Sequence, residues 1–319
     1  MDMLKLLTLL ADGDFHSGNE LGAEVGISRA AVWKRLQSLR DEFGLELQSV
    51  PGKGYRLSQP LSLIDLNSLQ ASFPSLPIFA YDSISSTNEY AKKVLAMQAA
   101  PLAILAEHQT LGRGRRGREW SSPYAQNLYL SFVWPVTQGM AQIDGLSLVV
   151  GLAVVRAVEQ VVGTTAQLKW PNDVLINNSK VAGILLELVG DPADLCHVVI
   201  GIGVNLNMMG TNQVIDQQWT SLALETGKQI DRTKFAQSIL ESLDLYLDKQ
   251  KNYGFSSLRS EWLGVHAWQG REVVLSAGNE LVRGRIAGIG EKGEICLLVD
   301  GQERLFIGGE LSLRLHNDT

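Results

Sequence analysis

A series of helix and turn signals fills the first 57 residues and constrains the fold more than any other stretch of the chain. The apolar run Leu4–Leu10 predicts a short helix that ends at Asp12-Gly13. Ser17-Gly18-Asn19-Glu20 fits the S-x-x-E capping box, in which serine and glutamate satisfy backbone N–H groups at the start of a second helix. Gly26 supplies a tight turn. Ser28 can cap a third helix, whose apolar face comprises Val32, Leu36, Leu39 and Phe43.

A β-hairpin is predicted directly after the third helix. Leu45, Leu47 and Val50 suggest a strand with a polar alternate face, and Tyr55–Leu57 suggests the returning strand. Pro51-Gly52-Lys53-Gly54 forms the turn between them. Helix, helix, turn, helix and hairpin is the order of a winged helix-turn-helix domain.

The basic charge of this segment is concentrated on the third helix. Between Ser28 and Arg40 there are four basic residues and no acidic ones, although the two kinds nearly balance over residues 1–57. Phosphate contacts in the major groove require a local patch of this kind on a helix, and Lys53 at the hairpin tip could reach a neighbouring phosphate. A winged helix that binds protein, or one that has lost its ligand, is the alternative. The candidate DNA-binding residues are Ser28, Arg29, Ala30, Trp33, Lys34, Arg35 and Lys53.

Composition bounds the class of protein. A length of 319 residues allows two or three domains, and contents of 45% hydrophobic and 19% charged residues are those of an ordinary globular protein. The net charge of −6 argues against binding of nucleic acid by the whole surface. Cys196 and Cys296 lie in apolar runs that predict buried strands and form no metal motif, which favours a reduced, cytoplasmic protein. No apolar run reaches about 18 residues, so no membrane span is expected.

The rest of the chain divides into two further segments, joined to the first by a predicted linker over residues 58–63. Residues 65–266 mix strands with long helices, among them Leu146–Val162 and Asp231–Lys251, which predicts a central α/β domain with a mixed sheet. From Trp268, short alternating strands with turn signals at 277–279, 291–293 and 300–301 predict a small SH3-like β-barrel. The expected fold is therefore α+β and multidomain, with a winged helix over residues 1–60, the central domain over 65–266 and the barrel over 268–319.

Four arginines and three glycines share the heptad Gly112–Arg118, here called the arginine–glycine loop. Guanidinium groups bind phosphate oxygens bidentately, and glycines let a ligand approach the main chain. Because the arginines repel one another, we expect this loop to be mobile until an anion fills it. Alone, the heptad is equally consistent with a solvated basic loop or a patch for nucleic acid.

A second unusual stretch, Lys169-Trp170-Pro171-Asn172-Asp173, leads into a predicted hairpin whose two-residue turn is Asn177-Asn178. Counting back from this turn pairs Leu175 with Lys180 and Asp173 with Ala182. Asp173 and Lys180 then project from one face of the hairpin. They form either a surface ion pair of little energetic value or an inward-facing cluster.

Four motifs occur in the order found in one enzyme family. Ser85-Ser86-Thr87-Asn88 precedes a predicted helix over Glu89–Met97, and alone it is typical of a helix cap. The others are G-R-G-R-x-G-R-x-W, which joins the arginine–glycine loop to Trp120, then K-W-P-N-D, and then K-x-A-G-I-L-x-E at residues 180–187. Together they resemble the biotin protein ligases along essentially the whole chain, except that Glu119 stands where a basic residue is expected. The winged helix resembles that of the bifunctional class, which also represses the biotin biosynthetic operon.

This resemblance implies a reaction in two steps. Biotin and ATP form biotinoyl-5′-AMP and pyrophosphate, and biotin then passes to a lysine of the biotin carboxyl carrier protein of acetyl-CoA carboxylase. Mg²⁺ accompanies ATP, held mostly by phosphates and water, so no protein metal ligands are expected. The implied catalytic residues are Lys180, Arg115, Lys169 and Asp173. The implied binding residues for biotin, ATP and the adenylate are Ser86, Thr87, Asn88, Gln109, Gly112, Arg113, Gly114, Arg115, Arg116, Trp120, Lys180, Gly183, Asn205 and Trp219, the last by packing over adenine.

The resemblance also implies regulation. The retained adenylate would act as corepressor, and a homodimer would present two winged helices to a palindromic operator. Two other functions stay open at this point, a non-catalytic biotin-sensing repressor and a lipoate ligase. Intact Lys169, Lys180 and Arg115 argue against the first, while the arginine–glycine loop and the winged helix disfavour the second.

Overall fold

The N-terminal segment folds as three helices and a hairpin. The computed structural model describes residues 2–191, 196–210, 215–277, 280–308 and 311–315. Ser17 and Glu20 form the predicted capping box, and the Ser28 hydroxyl accepts the N–H of Ala31 at 3.2 Å. The winged helix-turn-helix prediction is confirmed for this segment. Its elements are α1 (Asp2–Leu10), α2 (Gly18–Val25), α3 (Arg29–Phe43), β1 (Leu47–Val50) and β2 (Gly54–Leu57).

Helix α3 has one buried and one exposed face. Val32, Leu36 and Leu39 pack into a core with leucines of α1 and α2. The predicted DNA-binding residues are all exposed, Ser28, Arg29, Ala30, Trp33, Lys34 and Arg35 around α3 and Lys53 at the hairpin tip. Trp33 is 54% exposed, which is unusual for a side chain with so much apolar surface. The predicted patch therefore faces solvent.

The central segment is built on a seven-stranded mixed sheet. Its order is β3-β4-β5-β9-β8-β7-β6, in which β3 and β4 are parallel and the other neighbours are antiparallel. The strands are β3 (Ile78–Ile84), β4 (Leu102–Gln109), β5 (Leu128–Val136), β6 (Gln167–Lys169), β7 (Asp173–Ile176), β8 (Ser179–Gly190) and β9 (Cys196–Val204). The helices are α4 (Leu66–Ser72), α5 (Thr87–Leu95), α6 (Leu146–Val162), α7 (Leu222–Thr226), α8 (Arg232–Tyr253) and α9 (Arg259–Gly264).

Helices cover both faces of this sheet. Ile104 of β4 and Val133 of β5 pack with α5 on one side, whereas Leu105 and Phe132, one position away, belong to the core formed with α6 and α8. This alternation follows from the two-residue period of a strand, and it explains why the first five residues of β4 and nearly all of β5 are apolar. None of the helices in the described ranges is long and apolar enough to cross a membrane. The cytoplasmic location stays a prediction.

The C-terminal segment is an antiparallel sheet of the order β13-β12-β11-β10-β14. Its shape fits the predicted SH3-like barrel, and the predicted turns at 291–293 and 300–301 are present. Gly278 and Asn279 of the remaining turn signal, and residues 316–319 of the predicted domain, lie outside the described residues. The domain boundaries stay predictions. The strands are β10 (Glu272–Ala277), β11 (Glu280–Ile289), β12 (Ile295–Val299), β13 (Gln302–Phe306) and β14 (Ser312–Leu315).

The predicted linker is anchored on the central domain. Arg232, whose side chain is fully buried, donates Nη1 to the Ser62 carbonyl at 2.9 Å and forms an ion pair with Glu107. In addition, the Phe43 ring at the end of α3 lies 4.4 Å from the Tyr124 ring. The winged helix is therefore attached to the central domain at two places.

Buried His266 makes the stability of the fold depend on pH. Desolvation lowers the pKa of His266 from its ordinary 6.5 to about 4. The unfolded chain therefore takes up a proton near pH 6.5 that the folded chain refuses until about pH 4, so stability is complete above pH 6.5 and falls between these values. We expect the free energy of unfolding to fall by about 2 kcal/mol on account of His266 when the pH is lowered from 7 to 5. Urea unfolding of the parent and His266→Gln at both pH values measures it, and equal pH dependence in the two proteins would contradict the assignment.

Candidate active site

A cavity beside the arginine–glycine loop brings the four motifs together. Its polar end is formed by the start of α5, and its floor by β5, β8 and β9. The lining residues that the sequence predicted are Ser86, Thr87, Asn88, Gln109, Arg113, Gly114, Arg115, Trp120, Lys180 and Gly183. Those that it did not predict are Tyr129, Asn172, Ile184, Leu185, Gly201, Ile202 and Gly203.

Glycines let the Trp120 ring lie directly on the sheet. Gly183 of β8 and Gly203 of β9 are paired neighbours in the sheet register. A Cβ at Gly203 would stand 2.5 Å from Trp120 Cε2, and one at Gly183 would stand 3.1 Å from Trp120 Cζ3. Only glycine fits at Gly203, since real side chains do not approach so closely. The ring packed on this bare backbone forms a flat wall of the cavity, which is called the slot below.

The serine–threonine–asparagine motif is held by a side chain from another strand. Ser86 takes the N-cap position of α5, but in the described structure its hydroxyl makes no capping bond. Instead, Gln109 Oε1 accepts the backbone N–H of Thr87 at 2.9 Å, and Gln109 Nε2 donates to Ser122 Oγ at 3.0 Å. The interpretation of the motif as a helix cap is therefore wrong for its side chains. The Ser86, Thr87 and Asn88 side chains line the cavity instead.

The arginine–glycine loop is a narrow hairpin. The Gly114 N–H donates to the Arg118 carbonyl at 2.8 Å, and the Trp120 N–H donates to the Gly112 carbonyl at 2.9 Å. Gly112 is required there because a Cβ would stand 2.5 Å from the Trp120 carbonyl oxygen. At the tip, exposed Arg116 has a φ of 60°, a left-handed conformation that costs a non-glycine residue about 1 kcal/mol or more. Ordering of this loop by an anion stays a prediction.

Arg115 connects three parts of the molecule. Its guanidinium donates to Asn172 Oδ1 at 2.7 Å and to the Leu311 carbonyl of the C-terminal domain at 3.0 Å. Burial lowers the pKa of Arg115, but a guanidinium stays charged at neutral pH. Both of these acceptors are neutral oxygens, which a phosphate oxygen can outcompete.

Two lysines converge on one carboxylate beside the slot. Asp173 Oδ1 lies 2.6 Å from Lys180 Nζ, and Asp173 Oδ2 lies 3.7 Å from Lys169 Nζ. The side chains of Asp173 and Lys180 are each only 14% exposed, so they are not a plain surface pair. Lys180 Nζ also lies 5.4 Å from the centre of the Trp120 ring, close to the cavity lining. Burial is the main cause of a lowered pKa for Lys169, and Asp173 opposes that shift.

The predicted common face of Asp173 and Lys180 is confirmed, and so is the pairing of Leu175 with Lys180, but the predicted partner of Asp173 is wrong. Asp173 pairs with Gly183 and not with Ala182. The register shifts between Val174 and the next residue, where a β-bulge adds one residue to β8. Composition carries no signal for such a bulge.

Asn205 and Trp219 lie to the side of Lys180. The Lys180 N–H donates to the Gln218 carbonyl at 3.0 Å, so the backbone at Trp219 runs alongside Lys180. Asn205 is buried and donates its amide to the Thr220 carbonyl at 3.0 Å. Neither residue is part of the cavity lining given above. Closure of this segment over an adenylate stays a prediction.

No group of three or more His, Cys, Asp or Glu side chains is placed to hold a metal ion within the described ranges.

Comparison with known proteins identifies the family. The biotin/lipoate A/B protein ligase family matches residues 80–205, and a helix-turn-helix domain family matches residues 2–56. The chain is 39% identical to the bifunctional ligase/repressor BirA of Salmonella typhimurium over 98% of this chain and 97% of that protein. It is 32% identical to the Bacillus spizizenii protein of the same name over 95% of this chain and 94% of that protein. This chain belongs to the bifunctional biotin ligase/repressor family.

A solved structure agrees with this assignment. The biotin protein ligase of Aquifex aeolicus in complex with biotin and ATP has a TM-score of 0.66 and 32% identity, covering 75% of this chain and 99% of that one. The sequence prediction of a biotin protein ligase joined to a DNA-binding repressor domain is confirmed.

Several residues of the ligase site escaped the sequence analysis. Gly201 and Gly203 alternate within an apolar strand, and this two-residue spacing of glycines was a signal that backbone faces a ligand there. Asn172 lies inside the K-W-P-N-D motif but was given no role. Ser122 and Ser131 gave no signal, because isolated serines are common on any surface.

We expect Gly203→Ala to disrupt the slot of this ligase. The new methyl group would collide with the Trp120 ring and displace it. Biotin affinity should fall at least tenfold when measured by isothermal titration calorimetry. Gly264→Ala is the matched control, because a Cβ there meets no atom within 4 Å. Biotin binding by Gly203→Ala at the level of the Gly264→Ala control would contradict the role of the glycine floor.

Proposed function

We propose that this site joins biotin to ATP and then transfers biotin to a lysine of a biotin carboxyl carrier protein. In the first step a carboxylate oxygen of biotin bonds to the α-phosphorus of ATP and pyrophosphate leaves. In the second, the acceptor amine bonds to the acyl carbon, AMP leaves and the amine loses a proton. The observation that carries this proposal is the pair of lysines beside a flat, glycine-floored slot whose far end is polar.

The slot fits the fused ring of biotin. The Trp120 ring, which packs on the backbone at Gly183 and Gly203, offers a flat apolar surface that suits a ring with few polar atoms. The ureido group at one end of that ring can both donate and accept hydrogen bonds. Thr87 and Gln109 present hydroxyl and amide groups at the polar end of the slot. This orientation directs the carboxylate of biotin toward Lys180.

Cations near Lys180 support the adenylation step. A carboxylate that attacks a phosphate brings two anions together, and negative charge grows on the phosphoryl oxygens. Lys180 and Arg115 would stabilise that charge, with Arg116 and Lys169 near the other phosphates. One preorganised donor of this kind is typically worth about 2.7–4 kcal/mol. Mg²⁺ would be held mainly by the phosphates and water.

Asp173 suits a positioning role for both lysines. Its two oxygens each face one ammonium group, so it holds Lys180 and Lys169 in fixed directions before ATP arrives. Once phosphates pair with these cations, the carboxylate is released to accept a proton from the acceptor amine. The carrier lysine must lose that proton before it can attack.

The winged helix would bind operator DNA when the adenylate is retained. Its exposed α3 carries the basic side chains that phosphate contacts need. One chain supplies one reader helix, so a palindromic operator requires two chains. We therefore propose a homodimer that forms on the adenylate-bound ligase and presents both helices, with biotinoyl-5′-AMP as corepressor.

The parent should add the mass of one biotinoyl group to a carrier domain when incubated with biotin and ATP. Lys180→Met should reduce pyrophosphate release by about 10²–10³-fold, because one donor to the phosphoryl oxygens is lost. Biotin binding should stay detectable, since the ring-binding groups are intact, although the carboxylate of biotin loses its ammonium partner. Near-normal pyrophosphate release by Lys180→Met would remove Lys180 from the mechanism. Labelling of the carrier by lipoate in preference to biotin would replace the proposed substrate.

Arg115→Gly should release the adenylate faster than the parent does. The change removes a phosphate donor together with the bonds to Asn172 and Leu311. Stopped-flow or filter measurement of biotinoyl-5′-AMP dissociation should show at least a tenfold faster rate. Arg115→Lys is the comparison variant, because it keeps the charge but cannot reach both oxygens at once. An Arg115→Gly rate equal to the parent's would refute the role.

A further inference from the structure

Glu187, the last residue of the K-x-A-G-I-L-x-E motif, lies on β8 outside the cavity lining. Its two carboxylate oxygens have different partners. Oε2 accepts from Asn88 Nδ2 at 2.6 Å, and Oε1 accepts from Lys92 Nζ at 2.8 Å. Asn88 does line the cavity. Glu187 can therefore influence a bound ligand through Asn88 without touching it.

The Glu187 carboxylate fixes which way the Asn88 amide faces. A carboxylate accepts hydrogen bonds and donates none, so the amide NH₂ group must face it and the amide oxygen must face away. Asn88 Oδ1 lies 2.5 Å from Ser131 Oγ, on the side away from Glu187. Gly201 makes room for this arrangement, since a Cβ there would stand 2.5 Å from Asn88 Oδ1.

The amide in turn directs the protons of two hydroxyl groups. Ser131 Oγ lies 2.5 Å from Asn88 Oδ1 and 2.8 Å from Thr87 Oγ1. The amide oxygen has no proton, so the single proton of Ser131 is donated to it. The Thr87 proton then has two acceptors inside the protein, the Ser131 oxygen and Gln109 Oε1, the latter at 3.2 Å. In either case the Thr87 oxygen keeps lone pairs for the cavity.

We infer that Glu187 is a positioning residue that keeps Thr87 a hydrogen-bond acceptor for an N–H group of the ligand. This inference rests on the proposed function, in which the ureido group of biotin lies at this end of the slot. If Asn88 turned over, its NH₂ group would face Ser131. The Ser131 proton would then point at Thr87 and occupy a lone pair that the ureido N–H needs.

Lys92 determines the effect of removing the charge of Glu187. In Glu187→Gln, the side-chain oxygen faces the Lys92 ammonium, which has only donors, and the new NH₂ group faces Asn88. Asn88 must then turn over to accept from it. We expect the Kd for biotin, measured by isothermal titration calorimetry, to rise about tenfold, the value of one well-formed hydrogen bond. The KM for ATP and the thermal midpoint should stay close to those of the parent.

A second substitution should restore the original direction of the hydrogen bonds that link Glu187, Asn88 and Ser131 in the parent. In the double variant Asn88→Asp/Glu187→Gln, the introduced carboxylate accepts the Ser131 proton on one oxygen and the introduced amide N–H on the other. The introduced amide oxygen still accepts from Lys92. The Kd for biotin should return to within about threefold of the parent. A purely structural role for Glu187 predicts no such recovery.

Lys92→Met is the matched control. It removes the ammonium group but leaves the bond between Glu187 and Asn88, so the Kd for biotin should stay within about twofold of the parent. An unchanged Kd in Glu187→Gln overturns the inference. So does a double variant that binds biotin no better than the single variant, or a Lys92→Met protein that is weakened as much as Glu187→Gln. A parent chain that fails to bind biotin overturns the proposed function instead.

Discussion

The site depends on the contact between the Trp120 ring and the bare backbone of β8 and β9. This contact requires glycine at Gly203, and it fixes where the arginine–glycine loop leaves the sheet. A loop with four arginines has no core of its own and would not hold one position by packing. Trp120 supplies that packing at the end of the loop. The end of the charged loop is thus anchored by an apolar contact, which keeps its arginines close to the slot.

Before phosphate arrives, the cations of the site are held by protein oxygens. Arg113 pairs with Glu89, Arg115 donates to Asn172 and a backbone carbonyl, and Lys180 pairs with Asp173. These partners keep the charges apart from one another while the slot fills. Each is a single carboxylate or a neutral oxygen, so a polyphosphate with several charged oxygens can replace it. The arrangement therefore favours the anionic substrate without trapping the lysines and arginines in permanent pairs.

Patterns of neighbouring residues predicted local structure well. They did not predict contacts whose two partners are far apart in the sequence. The capping box at Ser17 and the Asn177-Asn178 turn were both read from neighbouring residues, and both are present. The hydrogen bond from the Thr87 N–H to Gln109 was not predicted. Its acceptor lies on another strand, so the residues around the helix start carry no pattern that reveals it. Arg115 reaches Leu311 across most of the chain length, and only the folded barrel brings the two together. Sequence motifs thus pointed to many of the residues that line the cavity, whereas their hydrogen-bond partners required the fold.

The winged helix contacts the central domain through a segment that lies next to the site in the chain. Phe43 ends α3, and its ring packs against Tyr124, which follows Trp120 by four residues in the chain. Tyr124 is itself fixed by a hydrogen bond to Asp82, at 2.5 Å. Ser122 lies between Trp120 and Tyr124 in the chain and accepts a hydrogen bond from Gln109 of the cavity. The segment that packs on the sheet at Trp120 therefore also contacts the end of α3 at Tyr124.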